Sequence, residues 1–204
     1  MNDISLILID PQKGFCSSHG SLALQYGEYE LKEIQKAILN IVGSIAESGR
    51  CHLVKSEYSP AQFTDGNKSH NLANLCVPYA NEDCEIIDDL KEIDFHSVSV
   101  KNQQSALSSK SFMAAIDQDL LEGIKTYIIF GFLLDHCVKK TAVDLKEYIT
   151  KSGANVVVCQ DLSATRLEKY KNGVVDKTLS ELVSLGVRIE YWENIADSLR
   201  SSRI

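Results

Sequence analysis

Lysine and arginine nowhere gather into a run in this 204-residue chain, and acidic residues outnumber basic ones, 28 against 21, for a formal net charge of -7. A nucleic-acid backbone or an anionic membrane surface needs a concentrated basic face, so neither is an expected partner. No apolar stretch approaches the roughly 18 to 20 residues that cross a bilayer. The opening Met1-Asn2-Asp3 lacks the basic start of a secretory signal, which predicts a cytoplasmic protein. None of the six cysteines (Cys16, Cys51, Cys76, Cys84, Cys137, Cys159) forms a CxxC pair, which argues against a zinc knuckle or a thioredoxin-like site. In a reducing compartment they are expected to be free thiols. Internal repeats, low-complexity segments and linkers are also missing. A 44% hydrophobic share then suffices for one core, and residues 1–204 are expected to form a single domain.

What the chain does contain is a series of apolar, β-branched-rich runs: Ile4 to Ile9, Cys51 to Lys55, Ser97 to Lys101, Thr126 to Phe130, Asn155 to Cys159 and Val187 to Tyr191. These read as buried strands. Between them, Leu31, Ile34, Ile38, Ile41, Val42 and Ile45 make one apolar stripe at helical spacing, ending near Gly49. A second helix is predicted from about Val138 to Lys151, with Ala142, Leu145 and Ile149 inward and Gly153 supplying a left-handed stop. A third spans roughly Gly173 to Leu185 and ends at Gly186. Alternating strands and helices imply right-handed parallel crossovers, hence a three-layer α/β/α sandwich around a mostly parallel six-stranded sheet. The irregular stretch Ser56 to Asp94 holds two of the three prolines and is too long for an ordinary connection; it is read as a substrate-covering segment with a short helix or hairpin.

In an open parallel sheet, ligands bind beyond the carboxyl ends of the strands, so the residues that follow each run carry the information. Asp10 follows the first run, Lys101 closes the third, and Cys137 sits just past Gly131 at the end of the fourth. Taken singly, each has a plain structural explanation. Asp10 before Pro11 can shape a turn, Lys101 can be a solvated lysine, and Cys137 can be a small buried hydrophobe. Together they divide the work of a nucleophile, an acid/base and an electrostatic support. Cys137 would stand at the N-terminus of the Val138 helix, where backbone N–H groups and a nearby lysine lower a thiol pKa.

Asp10-Pro11-Gln12-Lys13-Gly14-Phe15 resembles the D-x-Q-x-x-F segment that opens isochorismatase-like and nicotinamidase-like hydrolases. Gly131-Phe132-Leu133-Leu134-Asp135-His136-Cys137-Val138, with Thr141-Ala142 and Asp144 after it, is similar to that family's nucleophile segment, and Lys101 falls where the family places its lysine. The resemblance runs from Ile4 to about Asn194. It implies Cys137 as nucleophile, Asp10 as proton acceptor and donor, and Lys101 as the cation beside both. It also implies a cis peptide between Phe132 and Leu133, and an oxyanion hole made by the N–H groups of Leu133 and Cys137. The implied chemistry is cleavage of a C–N bond in a small molecule through a thioester, with no cofactor.

The chain departs from the family where nicotinamidases carry an Asp-x-His pair that binds a divalent metal. Here the sequence reads Ser56-Glu57-Tyr58, so no metal is expected, and His70 alone does not replace the pair. Metal-free relatives include hydrolases of carbamoylated amines and ureido acids, and isochorismatases that cleave a vinyl ether; the cysteine favours the amide or ureide. A catalytically silent metabolite binder and a thiol redox protein are the alternatives from other classes. Candidates for recognising a small polar substrate are Phe15, Tyr58, Gln62, Gln103, Phe112, Phe132 and His136, each of which fits core packing or a solvated loop as well. Asp161 is expected to cap a turn, and Asp135 to hydrogen-bond the nucleophile turn. The family implies a homodimer or homotetramer, and Tyr191 with Trp192 could serve such a contact or the core.

Overall fold

A computed structural model of the chain describes residues 3–45, 50–63 and 72–201. Among these residues six strands form one sheet: β1 (Ile4–Ile9), β2 (Cys51–Ser56), β3 (Ser97–Lys101), β4 (Thr126–Phe132), β5 (Asn155–Ala164) and β6 (Arg188–Glu190). Their order is β3-β2-β1-β4-β5-β6, and all five neighbouring pairs are parallel. The sheet is therefore wholly parallel. Among the described residues an isolated antiparallel bridge joins Gln12 to Ile86, outside the sheet.

Among the described residues eight helices accompany the strands: α1 (Lys13–Cys16), α2 (Ser21–Tyr26), α3 (Lys32–Ile45), α4 (Lys110–Leu121), α5 (Lys139–Tyr148), α6 (Leu167–Lys171), α7 (Val174–Ser184) and α8 (Trp192–Ser201). Alternation along β1 divides the core in two. Leu6 and Leu8 face α3 and α8, alongside Ile34, Ile38, Ile195 and Leu199. Ile7 and Ile9 face the other way, toward Phe112 and Ile116 of α4, Leu145 of α5 and Leu182 of α7. Helices thus cover both faces, the three-layer arrangement in which strands buried on both sides read as continuous apolar runs.

Local chemistry explains the boundaries. The stripe Leu31, Ile34, Ile38 and Ile41 is buried as its spacing predicts, each side chain being worth roughly 1.5–3 kcal/mol against exposure; the side chains of Val42 and Ile45 and the stop near Gly49 lie outside the described residues. Ser109 caps α4, its hydroxyl accepting from the Phe112 N–H. Past α5, Gly153 takes φ +73°, the left-handed stop expected of it. Asp161, placed within β5, accepts the N–H of Trp192 at 2.8 Å and so caps the start of α8. Trp192 packs against the α3 side of the core, while Tyr191 is exposed.

Between β2 and β3 the described chain forms short 3-10 turns at Pro60–Phe63, Leu72–Asn74, Glu82–Cys84 and Asp88–Leu90. Asp83, almost fully buried, ties this segment down by accepting the N–H groups of Ser21 and Cys76. Among the described residues no helix is long and apolar enough to cross a membrane. The six cysteines are free thiols.

Candidate active site

The strand order reverses at β1, with β2 on one side and β4 on the other, so the crevice beyond the ends of β1 and β4 is the expected ligand position. Asp10 leaves β1 there with φ +52°, a left-handed conformation that aspartate tolerates better than most residues, and its N–H is held by the Val54 carbonyl at 2.8 Å. Across β1, Gly131 pairs with Ile9 at φ +116°, and a Cβ placed on it would meet the Ile9 carbonyl oxygen at 2.2 Å. Only glycine lets β4 approach so closely beside Asp10. The register Ser56 to Lys101 then brings the ends of β2 and β3 level.

The chain after β4 contains a cis peptide between Phe132 and Leu133, as the resemblance implies. A wide turn over Leu134–Val138 follows and runs into α5. Helical structure therefore begins earlier than the sequence suggests, and Cys137 lies inside the first turn, not ahead of the helix. The Leu133 carbonyl accepts from both His136 and Val138. The Leu133 N–H, by contrast, carries no hydrogen bond among the described residues.

The three strand-end residues converge. The Lys101 ammonium lies 2.9 Å from Asp10 Oδ2 and 3.3 Å from Cys137 Sγ. It also donates to Ser56 Oγ at 2.7 Å and to the Gln103 carbonyl at 3.1 Å. Ser56 in turn donates to Asp10 Oδ1 at 2.9 Å. Tyr58 Oη stands 3.0 Å from Ser56 Oγ and 3.8 Å from Cys137 Sγ. Lys101 is 1% exposed and Asp10 fully enclosed, which makes Lys101 a buried cation with a complete set of acceptors instead of a solvated lysine. Gln12 supports the group from behind: its amide donates to the Ser56 carbonyl at 2.9 Å and accepts the Ser56 N–H at 2.6 Å.

Burial pushes the Cys137 thiol up to about 12, Asp10 adds to the rise, and Lys101 pulls the other way. The expectation of a lowered thiol pKa is thus corrected: at 4% exposure, loss of hydration and the facing carboxylate outweigh the helix terminus and the lysine. Burial by itself would lower Lys101, but Asp10, Cys137 and Tyr58 together hold its ammonium above the usual lysine range. Burial, then Cys137 and Asp10, raise the Tyr58 phenol. With the thiol pushed up, the sulfur keeps its proton at neutral pH beside Asp10, and the ammonium keeps its charge. A proton can pass from sulfur to carboxylate as the sulfur attacks, and return to a leaving group.

A cavity of about 420 Å³ opens over Cys137. Of the residues singled out in the sequence, Tyr58, Gln62, Gln103, Leu133 and His136 line it with Cys137. Phe15, Phe112 and Phe132 do not. Phe15 and Phe132 are buried on the α3 side of the sheet and Phe112 on the α4 side, each turned into the core by the parity of its strand or the face of its helix. The cavity also uses Leu22, Tyr26, Leu72, Leu75, Gln104 and Arg166, which nothing in the spacing marks. The part of the Ser56 to Asp94 stretch that is described does reach the cavity, through Tyr58, Gln62, Leu72 and Leu75. Asp135 accepts from Thr165 Oγ1 at 2.5 Å and stays outside the group.

The position of the nicotinamidase metal pair does not suit a metal. Ser56 is engaged by Asp10 and Lys101, Glu57 pairs with Lys55 at 2.8 Å, and Tyr58 faces the sulfur. No group of three His, Cys, Asp or Glu side chains that could hold a metal occurs among the described residues. His70 lies outside the described residues.

A family profile for the Isochorismatase domain matches residues 5–180. The fold is similar to a cysteine hydrolase from Pseudomonas syringae pv. phaseolicola 1448A, with a TM-score of 0.73 at 16% identity over 98% of this chain and 95% of that one. It is similar to an isochorismatase family protein from Desulfovibrio vulgaris subsp. vulgaris str. Hildenborough, with 0.70 at 20% identity over 98% and 100%. A nicotinamidase/pyrazinamidase from Acinetobacter baumanii gives 0.68 at 18% identity over 96% and 99%. No curated protein matches the sequence.

Proposed function

The chain belongs to the isochorismatase family of hydrolases, and on that premise we propose that it is a cysteine hydrolase that cleaves a C–N bond, in an amide, ureide or carbamoyl group, of a small metabolite. The observation that carries this reading is the Lys101 ammonium within 2.9 Å of Asp10 and 3.3 Å of Cys137 in one enclosed group. A nicotinamidase/pyrazinamidase of similar fold supports an amide within that set.

Cys137 Sγ attacks the carbonyl carbon while its proton passes to Asp10. Lys101 stabilises the charge that develops on sulfur and carboxylate. The N–H groups of Leu133 and Cys137 receive the oxyanion; losing one such donor typically costs about 3–4 kcal/mol in an acyl-transfer enzyme. Collapse breaks the C–N bond, and the nitrogen leaves as ammonia or an amine with the proton from Asp10. Asp10 then takes a proton from water, whose oxygen attacks the thioester; the acid is released and the sulfur is protonated again.

The test is ammonia or amine release from a panel of amides, ureides and carbamoylated amino acids, beside the same panel with Cys137→Ala and an isochorismate control. Turnover that disappears in the variant supports the proposal. Undiminished turnover in the variant, or cleavage of the ether alone, contradicts it.

A further inference from the structure

The cavity over Cys137 has an uneven charge. Its described lining contains no aspartate or glutamate, in a chain with 28 of them, and one permanent charge, Arg166. One wall is aliphatic, built from Leu22, Leu72 and Leu75. The guanidinium is fixed in place: its Cζ lies 3.7 Å from the centroid of the Tyr26 ring, and Tyr26 itself lines the cavity. Stacking on an aromatic face holds the plane of the guanidinium while leaving its edge donors available. Of the five N–H donors, one at Nη1 is taken by Glu168 at 3.2 Å, and the Arg166 side chain is only 12% exposed. Cys137 and this preset cation thus share one cavity, with apolar surface beside them.

We infer that the ligand of this cavity carries a carboxylate, which Arg166 grips through its edge while the reacting carbonyl sits at Cys137. Resting on the hydrolase reading, the substrate class is a carboxylate-bearing amide or ureide with a short apolar body. A planar guanidinium matches a carboxylate through two parallel hydrogen bonds, which a neutral amide cannot reproduce. At about 420 Å³ the cavity lies at the small end of the roughly 300–1,000 Å³ typical of small-molecule sites.

The experiment has two arms. In the first, ammonia release is compared for half-amides of dicarboxylic acids (succinamic, glutaramic and terephthalamic acids) and for the matching neutral diamides. The wild type is expected to favour the acids, mainly through KM. Arg166→Gln is expected to collapse that preference by about 10- to 100-fold, in line with the loss of a charged hydrogen-bonded contact; Arg166→Lys is expected to retain part of it. In the second arm, benzoate and benzyl alcohol are tested as protectants of Cys137 against iodoacetamide, read by mass spectrometry. Benzoate is expected to protect the wild type and Arg166→Lys but not Arg166→Gln, and benzyl alcohol to protect none of them. Equal handling of acids and diamides with no benzoate protection overturns the inference while leaving the hydrolase reading intact. Benzoate protection that follows Arg166, without turnover of any amide or ureide, upholds the carboxylate site and removes the hydrolase reading.

Discussion

The Asp10 carboxylate and the Lys101 ammonium lie 2.9 Å apart, at the ends of β1 and β3, with both side chains shut off from solvent. Neither could be buried alone at tolerable cost, so each is a condition for the other. Lys101→Met should therefore leave an unpaired buried carboxylate and destabilise the fold by about 3–5 kcal/mol, the cost of breaking such a pair from one side. Chemical denaturation at neutral pH measures this. A difference within error between variant and wild type would show that the pair is not closed in solution.

The same pair sets a pH dependence on the alkaline side. Lys101 is held above the usual lysine range, so its contribution to stability is full below the unfolded lysine value of about 10.4 and fades as pH rises from there toward the higher folded value. The stability gap between wild type and Lys101→Met should accordingly stay flat from about pH 7 to 9 and narrow only above the unfolded value. Urea unfolding across that range reads it directly. A gap that closes near neutral pH contradicts the assignment.

Ser56 links the two charges by accepting from Lys101 and donating to Asp10. Ser56→Ala removes both contacts without altering the backbone held by Gln12. With about 1–3 kcal/mol at stake for an unsatisfied buried partner, kcat should fall roughly 5- to 150-fold. Activity equal to the wild type would mean that Ser56 only fills space.

Gly131 is where β4 touches the strand end that carries Asp10. Gly131→Ala should either prevent folding or lower the thermal midpoint sharply, because its Cβ would sit 2.2 Å from the Ile9 oxygen at a φ that alanine rarely adopts. A thermal scan of the soluble variant decides, with an unchanged midpoint as the contrary result.

The thiol should report its surroundings through alkylation. With Cys137 pushed up to about 12, its reaction with iodoacetamide should keep accelerating at pH values where an exposed thiol, near about 8.5, has levelled off. Asp10→Asn removes an influence that raises the thiol, so its profile should move to lower pH while turnover drops by about 10²- to 10⁴-fold, the usual worth of an acid/base group. Lys101→Met should move the profile the opposite way. Mass analysis of the Cys137 peptide follows both.

The parts of this molecule legible in the sequence are those governed by periodicity and by strand ends. Ile4–Ile9 and Ser97–Lys101 match their predicted runs residue for residue; β1 does so because a strand buried on both faces is written as unbroken apolar text, whereas β3 is an edge strand whose Val98 and Val100 are exposed. Asp10 stands out because it follows such a run, Lys101 because it closes a strand, and Cys137 because it comes shortly after the Gly131 near the end of β4. Ser56 and Arg166 do not. A serine closing a strand has no composition signal, and Arg166 reaches the cavity only because β5 continues through Ala164, several residues past its apolar run. Pairing between β4 and β5 jumps from Ile129–Val158 to Gly131–Ser163, an irregularity invisible to a period-two reading. Phe15, Phe112 and Phe132 went the other way: proximity in sequence to reactive residues said nothing about which side of the sheet they face.

The most direct measurement is the mass of the Cys137 peptide after acid quench during steady-state turnover of an amide or ureide. A working Asp10, Lys101 and Cys137 group should place on that peptide the acyl portion of the substrate without its nitrogen, with no such adduct and no turnover in Cys137→Ala. Turnover that continues in Cys137→Ala, with the sulfur of the wild type never modified, would contradict the assignment of Cys137 as the nucleophile.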